Sequence, residues 1–181
     1  MSNDRRTHAL REARAEMIAV RQRILDAAEG RSNELLLTAP AGGGWSGAEV
    51  LDHIRTAESQ LVKALGKVER GETVRIPKRA WYYRLPMAPA FWPIRIPAPR
   101  LVRPRPRAEL RPREVLESLA TSRAELFALA DRMGEEKFSR LVFPHFLLGR
   151  FTGLTWFRFI SRHERKHLGQ LERTLAQVSA A

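Results

Sequence analysis

The segment FISRHERKHL, residues 159–168, places two histidines, His163 and His167, four positions apart near the carboxyl end of the chain. Its surroundings follow the three-and-four spacing that aligns side chains on one face of an α-helix. That face comprises Trp156, Ile160, His163, His167, Leu171, Leu175 and Val178. Because burying two unpaired imidazoles is costly, a metal ion is the most economical reason for their place among apolar residues.

A third histidine, His53, lies in EVLDHI (residues 49–54), at the margin of the apolar face of another predicted helix. Two histidines one helical turn apart have Cβ atoms about 5–6 Å apart, close enough to share an ion. A third from a facing helix leaves a position open for water or substrate, as in catalytic metal sites. Taken singly, each of these histidines has another reading, that of a buried, hydrogen-bonded side chain.

The stretch from His163 to His167 also fits the H-E-x-x-H pattern of zinc metalloproteases. We reject that function for two reasons. Such enzymes usually carry uncharged residues between the two histidines, whereas Arg165 and Lys166 lie there, and the 14 residues after His167 leave little room for a third ligand downstream. Glu164 is roughly 100° around the helix from His163, and we expect it at the surface, paired with Arg or Lys.

Four helical patterns run along the chain, at about residues 4–29, 46–70, 112–133 and 152–178. Ser46 and Glu49 fit a capping box at the start of the second, and Pro112 suits the first position of the third. No segment shows sustained two-residue alternation, so we predict no sheet. The sequence therefore predicts an all-α protein, a four-helix bundle in a single domain spanning residues 1–181, with a long crossover at residues 74–111.

The composition excludes several kinds of site. The chain of 181 residues has no cysteine, which rules out disulfides, thiolate metal sites and a cysteine nucleophile. It also lacks a run of eighteen apolar residues, and its first residues lead into an amphipathic pattern. We expect a soluble, cytoplasmic protein.

The net charge of +12 is concentrated in residues 75–113, the basic segment, which holds 11 of the 32 Lys and Arg residues and one acid. Nine of the eleven prolines lie there, and they exclude a long helix. The aromatic residues of the segment, which we expect to pack on the bundle while the arginines face water, are Trp81, Tyr82, Tyr83, Phe91 and Trp92. Such a segment is also able to bind single-stranded nucleic acid or an anionic membrane surface.

The stretch WSGAEVLDHI (residues 45–54), followed far downstream by HERKHLGQ (residues 163–170), resembles the DinB-like superfamily of metal-binding bundles. The resemblance implies an up-down-down-up four-helix bundle, usually dimeric. It also implies that His53, His163 and His167 bind zinc or nickel between the second and fourth helices. Members with known activities include thiol S-transferases that use low-molecular-weight thiols, and metal-dependent isomerases and amidases.

Other residues near these histidines have expected roles. Glu49 lies one turn before His53, and Gln170 lies three positions after His167, so either is placed to orient an imidazole. For Glu49 the capping box is the alternative explanation. Trp156 and Phe159 are expected to pack near the site, and His145 is expected at the mouth of its pocket, outside the ligand set.

These features predict a metal-dependent enzyme, thiol S-transferase-like or hydrolase-like, in which the ion activates a bound water or thiol. The expected substrate is a small molecule such as a low-molecular-weight thiol, and the expected assembly is a homodimer. One alternative is a non-catalytic bundle whose basic segment binds nucleic acid or a membrane. Another is a bundle that folds around a metal ion without turnover.

Overall fold

Helices make up most of the computed structural model, which describes residues 3–72, 74, 100–145 and 149–180. Short 3₁₀ turns cover Arg100–Val102 and Arg107–Glu109. The other elements, in chain order, are α1 (Asn3–Ala28), α2 (Asn33–Leu37), α3 (Gly47–Glu69), α4 (Pro112–Met133), α5 (Glu135–Arg140), β1 (Val142–His145), β2 (Gly149–Thr152) and α6 (Gly153–Ser179).

The predicted all-α class is confirmed, and the four predicted helices agree with α1, α3, α4 and α6 to within about two residues at each end. The prediction that there is no sheet is wrong. Strands β1 and β2 form an antiparallel pair in which Val142 lies opposite Thr152 and His145 lies opposite Gly149. The pair is only four residues long, too short for a sustained alternation to appear in the sequence.

The apolar interior consists of two clusters, separated by a layer of buried polar side chains. Along α1 and α6 the first cluster precedes the second, whereas along α3 and α4 the order is reversed. Where the clusters change over, each of these four helices contributes to what we call the polar layer, which contains Arg21, Glu58, Ser122, Arg123 and Glu164. His163 and His167 lie on the same part of α6.

Local sequence sets where the two histidine-bearing helices begin. At α3 the predicted capping box is present: Ser46 Oγ accepts the Glu49 N–H at 3.3 Å, and Glu49 Oε2 accepts the Ser46 N–H at 2.8 Å. At α6, Thr152 Oγ1 accepts the Thr155 N–H at 3.1 Å. Gly153 follows, and a Cβ there would stand 2.2 Å from the carbonyl oxygen of Phe138, so this position requires glycine.

Part of the basic segment is described, from Arg100 onwards. Arg105 pairs with Asp52, and Arg107 pairs with Glu49, both on α3. Both side chains remain about two-fifths exposed, 41% for Arg105 and 42% for Arg107, so these two arginines face water, as expected, while they pair with carboxylates on α3. The five aromatic residues, Trp81 to Trp92, and the expected packing of that stretch lie outside the described residues. None of the helices in the described ranges combines the length and apolar character needed to cross a bilayer.

Candidate metal centre

Three histidines from two helices meet in the interior. His53 comes from α3, and His163 and His167 come from α6. One nitrogen of each lies within 4.8 Å of the others, and the Nε2 atoms of His53 and His163 are 3.3 Å apart. Two nitrogen ligands of a tetrahedral ion at about 2.0–2.1 Å stand about 3.3–3.4 Å apart. The donor type of all three residues and the spacing of His53 and His163 therefore fit one divalent transition-metal ion.

Hydrogen bonds orient two of the three rings. His53 Nδ1 donates to the carbonyl oxygen of Val102 at 2.6 Å, and His167 Nδ1 donates to Oε1 of Gln170 at 2.9 Å. With the proton held on Nδ1, the lone pair of each ring is on Nε2. Both rings are thus held in the tautomer that offers Nε2 to an ion, which is the usual arrangement around metal-binding histidines.

Burial keeps all three imidazoles in the neutral form that binds metals. It lowers the pKa of His53 below the ordinary value and lowers the pKa of His167 to about 3. The pKa of His163 is lowered well below the ordinary value, first by burial and then by the neighbouring imidazoles of His167 and His53. At neutral pH the lone pairs are therefore available without a proton having to leave.

Aromatic rings border the cluster on two sides. The ring of Trp45, just before α3, lies 5.0 Å from that of His53 and is stacked 6.4 Å from that of His167, between centroids. On the other side Phe159 is stacked on His163 at 5.8 Å. These rings limit the access of water to the imidazoles and hold them in place.

His145 lies one ring farther from the cluster. Its imidazole is stacked on Trp156 and meets the edge of Phe159, each at 4.9 Å between centroids. Burial lowers its pKa to about 4. Of the three residues expected around a pocket, Phe159 borders the cluster, while Trp156 is buried in the core and donates to the carbonyl of Phe143. Residues 146–148, beyond His145, lie outside the described ranges.

The structure separates the roles expected of the nearby acids and amides. Gln170 does contact the ring of His167, but Glu49 does not hold His53, because its carboxylate is bound by Ser46 and Arg107. The expectation that Glu164 lies at the surface is also wrong. Its side chain is 1% exposed, although it is paired with arginines as expected.

Sequence reasoning missed the backbone partner of His53 and the place of Trp45. A carbonyl group carries no residue-type signal, and Val102 is separated from His53 by 49 positions. For Trp45 a signal existed in the sequence. Trp45 directly precedes the N-cap of α3, and His53 lies one and a half to two turns into that helix, which brings the two side chains close together.

With this geometry in place, comparison with known proteins is informative. A family model described as the DinB superfamily matches residues 16–171, which contain all three histidines. The chain belongs to the DinB superfamily. The resemblance seen in the sequence is thereby confirmed, and the DinB superfamily is associated with metal ions.

The chain is also similar to YuaE of Bacillus subtilis (strain 168), an uncharacterized protein. It is 24% identical over 160 residues, which cover 84% of this chain and 91% of YuaE. No solved structure matches the chain. The comparisons therefore give the family and no activity.

Proposed function

We propose that this protein is a divalent-metal-dependent enzyme that binds zinc or nickel through His53, His163 and His167 and acts on a small substrate. The observation that carries the proposal is the convergence of three neutral imidazoles from two helices within 4.8 Å. Structural zinc sites have four protein ligands, commonly including cysteines, whereas catalytic sites have three and an open position. A three-histidine set in a chain without cysteine matches the catalytic kind.

The two carboxylates next to the histidines in sequence are bound by arginines and are not free to act as a base. The nucleophile would therefore be supplied by the substrate or by solvent. Asp52 accepts from Arg55 and Arg105, and Glu164 accepts from Arg21 and Arg123. Neither is therefore placed as the general base that the H-E-x-x-H pattern requires. A divalent ion in the site would supply Lewis-acid chemistry, lowering the pKa of a coordinated water or thiol or polarising an electrophile.

The remaining roles of the chain are to select and orient the substrate. Trp45 and Phe159 shield the imidazoles on two sides. Besides burial, the positive charge of Lys166 lowers the pKa of all three imidazoles, so its field reaches the site. Together with the basic segment, it would favour a substrate with carboxylates, such as a low-molecular-weight thiol. Since the chain has no cysteine, the sulfur of a transfer reaction has to come from the substrate.

We also propose the up-down-down-up arrangement of the four long helices. It is supported by the order of the two apolar clusters, which is the same along α1 and α6 and reversed along α3 and α4. This order brings α3 and α6 side by side in opposite directions, and it brings His53 opposite His163.

The test begins with elemental analysis of the protein purified without an affinity tag. We expect about one zinc or nickel ion per chain in the wild type. His163→Ala is expected to lose the ion. The matched control is His8→Ala, which removes an exposed histidine of α1 that pairs with Glu12; it is expected to retain the ion. Retention of the metal by His163→Ala would contradict the proposed ligand set.

Activity is then measured on the metal-loaded protein, with glutathione and a panel of electrophiles, and separately with activated esters and amides. We expect turnover in one of these assays, lost in His163→Ala and kept in His8→Ala. Metal-loaded wild-type protein without thiol-dependent or hydrolytic turnover across the panel would instead indicate a bundle that holds its ion without catalysis.

A further inference from the structure

The described end of the basic segment lies along α3 and is attached to it at three successive points. Val102 is buried, Arg105 binds Asp52, and Arg107 binds Glu49. Within this stretch Pro104 and Pro106 flank Arg105, and proline has no backbone N–H. The N–H of Arg105 is therefore the single backbone donor of residues 104–106.

That donor is bound by the residue that precedes His53. Asp52 Oδ2 accepts the Arg105 N–H at 2.8 Å, and Asp52 Oδ1 accepts from the Arg105 guanidinium at 3.0 Å. Arg55 Nε also donates to Oδ1, at 2.9 Å. The Asp52 side chain is fully buried, whereas the Arg105 and Arg55 side chains that donate to it are 41% and 22% exposed.

Asp52 and His53 thus hold the same short segment, one at Arg105 and the other at the Val102 carbonyl, three residues earlier. The position of that carbonyl determines which nitrogen of His53 carries the proton and how the ring is turned. Both bonds tie residues 102–105 to adjacent residues of α3. A displacement of Arg105 would therefore also displace the Val102 carbonyl, which accepts from His53.

We infer that Asp52 is a positioning residue of the metal centre, which acts through the Arg105 backbone and the Val102 carbonyl to present His53 Nε2 to the ion. The inference rests on the proposed metal-binding function. Partners of this kind, one contact removed from the ion, change metal affinity by about 10–100-fold when they are removed.

A purely structural role for Asp52 makes a different prediction. In that case any bond that anchors the segment to α3 would matter equally for stability, and none would matter for the imidazole. The Arg107–Glu49 pair provides the control, because it anchors the same segment at 2.9 Å but lies five residues from Val102. Arg107→Ala is therefore the variant matched to Asp52→Ala.

The first measurement is the zinc dissociation constant of the full-length protein, by competition with a chromophoric chelator. We expect Asp52→Ala to bind zinc about 10–100-fold more weakly than the wild type. Asp52→Asn, which keeps an oxygen acceptor for the Arg105 N–H, is expected to recover part of the loss, and Arg107→Ala to stay within about two-fold. Equal affinities of Asp52→Ala and Arg107→Ala would overturn the inference. Should Asp52→Ala fail to fold, Asp52→Asn is compared with Arg107→Ala by the same criterion.

The second measurement needs no metal. Long-range ¹⁵N–¹H correlation spectra of the metal-free protein report which nitrogen of His53 is protonated. We expect the Nδ1–H form in the wild type and in Arg107→Ala, and a mixture of tautomers in Asp52→Ala. An unchanged tautomer in Asp52→Ala refutes the positioning role even if zinc binding is weakened. If the wild type binds neither zinc nor nickel but Asp52→Ala changes the tautomer of His53, the proposed function is refuted while the positioning of His53 by Asp52 is supported.

Discussion

At the scale of single residues, Glu164 shows that the spacing of one apolar face does not predict every buried residue of a helix. The face that carries Ile160, His163 and His167 was read from spacing alone, which left Glu164 on the surface. The residue also lies four positions after Ile160 and four before Leu168, both of which are buried. Because α6 contacts both α1 and α3, more than one face of it is covered, and a charged side chain among apolar neighbours indicates a buried partner.

The partners of Glu164 belong to the polar layer. Arg21 and Arg123 each bind both Glu58 and Glu164, so two positive and two negative groups alternate, and Ser122 Oγ donates to Glu58 at 2.6 Å. Taking four charges out of water is costly, and this cost is offset by their mutual bonding and by the carbonyl groups of Leu119 and Met17, which accept from the two arginines. The removal of one member leaves its partners charged, buried and incompletely paired.

Glu58→Gln tests this layer. We expect it to lower the free energy of unfolding at pH 7 by about 3–5 kcal/mol, measured by urea denaturation. The exposed pair between Glu69 and Arg132 provides the control, and Glu69→Gln should cost less than about 1 kcal/mol. Similar losses in the two variants would show that the layer contributes no more than a surface pair.

The same variant has a predicted pH dependence. Burial by itself would raise the pKa of Glu58, but the charges of Arg21 and Arg123 outweigh it, and the pKa lies below its ordinary value. A carboxyl group with a lowered pKa in the folded state stabilises the fold fully above its unfolded pKa of about 4.3, and this stabilisation is lost as the pH falls through the folded pKa. The difference between wild type and Glu58→Gln should therefore be constant near neutrality and shrink below about pH 4. A difference that persists unchanged to pH 3 would contradict the assigned charge state.

At the scale of elements, the sequence predicted what depends on side chains close together in the chain. Ser46 and Glu49 mark where α3 begins, and Pro112 marks where α4 begins. The apolar stripes predicted the lengths of the four long helices. The β1–β2 pair was missed, although the first residue of β2 is Gly149, with a φ of 86°, because four residues on each strand give no periodic pattern. His163 and His167 were found in the same way, by spacing on a helix, and the resemblance to the DinB-like superfamily implied His53 as the third ligand. The Val102 carbonyl was not found, since backbone acceptors depend on the tertiary course of the chain.

Ser46→Ala tests how much the start of α3 depends on its cap. Ser46 is buried, so in the variant no water molecule can take the place of the Ser46 hydroxyl as the acceptor of the Glu49 N–H. We expect a loss of about 1–2 kcal/mol in the free energy of unfolding. The comparison is Ser32→Ala, which removes the cap of the five-residue helix α2, where the serine is exposed and water can take its place; its loss should be about 0.5 kcal/mol. Equal losses would show that burial of the cap has no effect.

At the scale of the whole molecule, the candidate metal centre joins distant parts of the chain. His53 and His163 are 110 positions apart, and the helices that carry them are also joined through the polar layer, by way of Glu58 and Glu164. An ion bound by α3 and α6 together can be held only when both are in their folded positions. Metal binding is therefore expected to stabilise the folded state as a whole, beyond the helix turns that carry the ligands.

This coupling predicts the effect of zinc on thermal unfolding. At a free zinc concentration about 100 times the dissociation constant, the stabilisation is about 2.7 kcal/mol, which for a chain of this size raises the Tm by roughly 5–11 °C. Calorimetry of chelator-treated protein with and without zinc measures the change, and added chelator should reverse it. His163→Ala should show little change in Tm, because it removes one of the three ligands. The two imidazoles that remain, His53 and His167, lie on different helices and would bind the ion weakly. His8→Ala should respond like the wild type. An equal rise in His163→Ala would place the stabilising ion elsewhere, and no rise in a wild type that carries the ion would mean that the site is formed as well in the unfolded chain as in the folded one.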